Sequence, residues 1–111
     1  MSVTVYSPDP QELIDALENA SQEGDLKEWR LTSKKRYTLN AEKLRNKAFF
    51  SATVSDDYVV FNIRPGIGLR LANTTYAIYH GHFIQLLLMN FDDMISTISC
   101  TALADDNDRT N

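Results

Sequence analysis

The residues best suited to chemistry stand together in "YHGH", Tyr79 to His82, where the chain's two histidines flank a glycine. On a strand, an H-x-H pair sets both imidazoles on one face, and neutral ring nitrogens are common metal ligands. A metal site needs a third and usually a fourth ligand, with hydrogen bonds that orient them. Asp56, Asp57, Asp92, Asp93 and Cys100 are the available partners, and none falls at a recognised ligand spacing. The favoured reading of His80 and His82 is a structural role where the chain changes direction. Metal or small-ligand binding beside them is the alternative, and no cofactor is predicted.

Cys100 is the only thiol, so a thiol–imidazole pair with a histidine is the one arrangement suggestive of nucleophilic catalysis. It alternates in phase with Ile98 and Ala102, which predicts a small buried hydrophobe instead. No G-x-S-x-G, H-E-x-x-H or glycine-rich nucleotide fingerprint occurs in the chain. Binding without catalysis is the expectation.

Charge singles out a third group. Residues 27–47 carry eight bases and two acids, whereas residues 1–26 carry six acids and no base. Lys27, Arg30, Lys34, Lys35 and Arg36 interleave there with Trp29 and Tyr37. A basic groove with aromatic platforms is how single-stranded nucleic acid is held without sequence readout. Two features oppose that reading. Trp29 and Tyr37 share their alternation with Leu31 and Leu39, which points them at the core, and the net charge of −4 disfavours non-specific phosphate binding. A solvated basic turn is the simpler account.

The elements that must position these residues follow from periodicity. In "SPDPQELIDALENASQEGD", Asp9 is the expected N-cap and Pro10 the first helical residue. Leu13, Ile14, Leu17 and Ala20 then form one apolar stripe that ends before Gly24. "KEWRLTSKKRYTLN" predicts two short strands around a basic turn. Residues 40–47 fit a helical turn or a loop equally. "KAFFSATVSDDYVVFNIRP" predicts a hairpin about Asp56-Asp57, pairing Phe50 with Ile63, Ala52 with Phe61 and Val54 with Val59 on the core side. "RPGIG" ends it.

Thr75–Tyr79 has the β-branched and aromatic composition of a strand. Residues 82–94 instead gather Phe83, Ile84, Leu87, Leu88, Phe91 and Met94 on one face when wound as a helix. Leu86 and Met89 then fall on the polar arc with His82, Gln85 and Asn90, which makes them candidates for self-association. "STISCTALA" alternates as a last strand, with a helical continuation as its competitor, and the acidic residues 105–111 are expected to form a disordered tail.

The expectation is therefore one α+β domain over residues 1–104: a twisted antiparallel sheet, an N-terminal helix, and a second helix at about 82–94 before a last strand. A length of 111 residues suits one core, and 43% hydrophobic with 23% charged residues suits a globular chain. A single cysteine closes no internal disulfide, and the first residues lack a basic, apolar leader pattern. A cytoplasmic setting without membrane contact follows as the expectation. The predicted function is a small non-enzymatic binding or assembly module, most simply a homodimer, with another protein as a possible partner.

Overall fold

A computed structural model describes residues 2–104 and Asp108, and shows an α+β fold with a six-stranded, wholly antiparallel sheet. The chain opens with β1 (Val3–Tyr6), a strand the sequence reading did not assign. Helix α1 (Pro10–Gln22) crosses to the far edge, where β2 (Trp29–Leu31) begins a meander through β3 (Arg36–Leu39), β4 (Ala48–Val54) and β5 (Tyr58–Pro65). The meander brings β5 back beside β1. Helix α2 (Asn73–Asn90) and a 3-10 turn (Asp92–Met94) then lead to β6 (Thr97–Cys100), which pairs with the other side of β1. The spatial order is β2-β3-β4-β5-β1-β6.

Local chemistry explains α1. The Asp9 carboxylate accepts the Glu12 N–H at 3.1 Å, Pro10 occupies the first turn, and Gly24 at φ 78° provides the left-handed exit. The β4–β5 register matches the expected one, with Phe50 opposite Ile63, Ala52 opposite Phe61 and Val54 opposite Val59. Val54 nevertheless departs from its expected place in the core, because it sits beside the turn at the tip of the hairpin and is 40% exposed. Residues 40–47 form turns, not a helix.

Both helices contribute to one core against a single face of the sheet. Phe83 lies at its centre, with its ring 4.7 Å from those of Phe50 and Phe61 and 5.1 Å from that of Trp29. Tyr79 fills the space beside it and donates its hydroxyl proton to the Leu44 carbonyl, tying the 40–47 loop to α2. A buried tyrosine needs such a partner for its polar end.

Three expectations are corrected here. Thr75–Tyr79 is not a strand but the first half of α2. Tyr76, Tyr79, His80, Phe83 and Leu87 recur at helical spacing and are all buried, and that burial overrides local β-propensity. Second, the apolar face of α2 is rotated: Leu86 is buried at 7% exposure, while Leu88 is 52% exposed. Leu86 is therefore core, not a surface contact. Third, Cys100 is exposed. It has the inward parity of the edge strand β6, opposite Val3, but it lines an open groove beside α2 instead of the closed core. The expected disordered tail, residues 105–111, lies outside the described residues except for Asp108, whose Oδ1 accepts from Asn62 Nδ2 at 2.9 Å and from the Ile63 N–H at 3.0 Å.

Candidate functional site

The two histidines diverge because they lie two apart on a helix, which turns about 100° per residue. His80 is buried, stacks on Tyr76 at 4.1 Å, meets Phe50 edge-on at 5.1 Å, and has Nδ1 2.9 Å from the Tyr76 carbonyl. His82 is on the outside, with Nδ1 3.3 Å from a Glu28 carboxylate oxygen. Among the described residues no three histidine, cysteine or acidic side chains gather as a metal site. The H-x-H motif does not form a two-pronged ligand.

The basic segment is likewise divided. Trp29 and Tyr37 are buried in the aromatic core at 6% and 2% exposure, so neither is a stacking platform. Burial also pushes the Tyr37 phenol well above its ordinary pKa, since the phenolate would be desolvated, with Glu18 adding to the effect. Arg30 is exposed and bonds Asn46 Oδ1 through its guanidinium at 2.6 Å. Lys35 lies 3.5 Å from a Glu18 carboxylate oxygen, and occupies the left-handed region at φ 62° in the β2–β3 turn with Lys34 before it and Arg36 opening β3. Lys27 stands apart, in the turn before β2.

Lys27 belongs instead to a cleft of about 430 Å³ between residues 25–29 and the outer side of α2. Leu26, Trp29 and Leu86 form its buried apolar floor. Asp25, Lys27, Glu28, His82, Gln85 and Asn90 line it, with Met89 at 70% exposure. The sequence set His82, Gln85, Leu86, Met89 and Asn90 on one arc of the helix, and all five line this cleft. It held no signal that the 25–29 segment would face them.

A second concavity, about 320 Å³, runs between α2 and the edge strand β6. Ile84 and Leu88 come from α2, Ile95 from the connection, and Ile98 and Cys100 from β6, with Asp92 also lining it. Partial desolvation, reinforced by the Asp108 carboxylate, raises the Cys100 pKa, the opposite of what an activated nucleophile requires. Among the described residues β6 pairs only with β1, which leaves its other edge open. Thr101 donates its N–H to the Ser2 carbonyl at 3.0 Å, and by antiparallel alternation the Ile98 and Cys100 N–H groups point away from β1.

Comparison with protein families, with curated proteins and with solved structures finds no match to this chain. Among the described residues no helix is long and apolar enough to cross a membrane.

Proposed function

We propose that this protein is a non-enzymatic assembly module that forms a two-fold homodimer through the open edge of β6 and the adjoining face of α2. The observation that carries the reading is the contrast between the sheet's two edges. β2 is three residues long, carries Arg30 and follows Lys27 and Glu28, the charged and short edge that resists strand addition. Residues 97–104 contain no charged residue and no proline, and the apolar groove of Ile84, Leu88 and Ile98 lies beside them.

An antiparallel strand is complementary to a second copy of itself across a two-fold axis. Pairing two copies of β6 would satisfy the outward N–H groups and bring each Leu88 toward the partner's groove. A standard interface takes about 800 Å² per partner, roughly an eighth of this chain's 6636 Å² surface. Met89 and Leu86 line the other cleft, against residues 25–29, and do not belong to this contact. The single thiol is compatible with the reducing, cytoplasmic setting that this reading assumes.

Sedimentation velocity over a wide concentration range tests the proposal. The wild-type chain should sediment as a dimer that dissociates on dilution, and Leu88→Lys as a monomer with an unchanged circular dichroism spectrum. Cys100 supplies a second readout, because its alkylation should be slower in the dimer than in Leu88→Lys. A wild-type chain that stays monomeric throughout, or a lysine variant that still pairs, overturns the reading.

A further inference from the structure

We infer that the cleft between residues 25–29 and α2 is a binding site for a small organic cation, an ammonium group carried on an apolar or aromatic body. The inference is independent of dimer formation. At about 430 Å³ the cleft falls within the roughly 300–1,000 Å³ typical of small-molecule sites. Its construction is also that of such sites, an apolar floor with a few polar groups around it. Leu26, Trp29 and Leu86 provide the floor, buried at 3%, 6% and 7% exposure.

The polar groups decide the class of ligand, because most of them accept hydrogen bonds. Asp25 and Glu28 contribute carboxylates against the single cation of Lys27. His82 meets Glu28 through Nδ1, so in its neutral form that nitrogen is the donor and Nε2 is left as an acceptor. Asn90 donates its side-chain N–H to the Leu86 carbonyl at 3.0 Å, which leaves its Oδ1 to accept. Gln85 can supply either kind of bond. A ligand rich in donors and positively charged matches this set, and the buried edge of Trp29, with Leu26 and Leu86, supplies the apolar surface for its body. An anion would meet two carboxylates for one ammonium.

Trp29 is the only tryptophan, so its fluorescence reports directly on the cleft. The test titrates the protein with 2-phenylethylammonium, with 2-phenylethanol and with phenylacetate, three probes of one size that differ in charge. The ammonium should produce a saturable change, with affinity at least about tenfold above the other two. Asp25→Asn combined with Glu28→Gln should lower that affinity about tenfold, and because both residues are exposed the fold should be retained. Titrating Leu88→Lys keeps the result separate from self-association, and it should bind as the wild type does. Absence of saturation with the ammonium, equal binding of all three probes, or preference for phenylacetate would each overturn the assignment.

Discussion

Phe83 shows how much one side chain can settle. Its ring contacts those of Trp29, Tyr37, Phe50 and Phe61, drawn from four different strands, and it is fully buried. Phe83→Ala should cost about 3–5 kcal/mol, since it removes a large apolar group and leaves a cavity among rigid rings. Urea denaturation would check this, and a loss below about 1 kcal/mol would contradict the central placement. Tyr37 makes a second prediction, about pH. Its phenol is raised from an ordinary value of 10.0, so above that pH the unfolded chain releases a proton that the folded chain retains. The stabilisation is fully present below about pH 10 and is lost as pH rises toward the folded value. Stability measured from pH 8 upward should fall beyond about pH 10, and the fall should be shallower in Tyr37→Phe.

At the scale of elements, two glycines give opposite predictions for one substitution. Gly81 lies inside α2, is exposed, and a Cβ there would meet nothing within 4 Å. Gly81→Ala should stabilise the protein by about 0.5–1 kcal/mol, because alanine restricts the unfolded chain and favours the helix. Gly66 follows β5, and a Cβ there would stand 2.2 Å from the Asn46 carbonyl oxygen. That neighbour is backbone, in the loop whose Lys47 carbonyl already accepts the Gly66 N–H, so it cannot simply rotate aside. Gly66→Ala should therefore lower the melting temperature, while Gly81→Ala raises it. The same sign for both would refute this contrast between an open helical site and a crowded turn.

For the whole molecule, the sheet's asymmetry is the main consequence of its topology. The β1–α1–β2 crossing puts a short, charged strand at one edge, and the late return through α2 puts an uncharged one at the other. If β6 pairs with a second copy, mass action ties stability to concentration. The melting temperature of the wild type should rise with protein concentration, and that of Leu88→Lys should not. Calorimetry at widely spaced concentrations would distinguish them, and equal slopes would count against assembly through this face.

What the sequence determined by itself were features whose causes lie within a few residues. The Asp9–Pro10 start of α1, its exit at Gly24 and the Phe50–Ile63 register follow from caps and a period-two alternation that any neighbouring strand must obey. The inward parity of Trp29 and Tyr37 was legible for the same reason, and so was the strand character of Thr97–Cys100. The alternation of Val3 and Val5 with Thr4 and Tyr6 was equally open to reading, although it was not assigned. Residues 75–79 were different. Their β-propensity amounts to about 1 kcal/mol at most per residue, less than the burial of Tyr76, Tyr79 and His80 against the sheet supplies. Which of Leu86 and Leu88 faced inward depended on the rotation of α2, set by rings from β2, β3, β4 and β5. The candidate cleft depended on still more distant contacts, because residues 25–29 and 82–90 meet only after the meander has placed β2 beneath α2. Periodicity identifies the faces of an element, but a concavity exists only between elements, and its position was decided by tertiary packing.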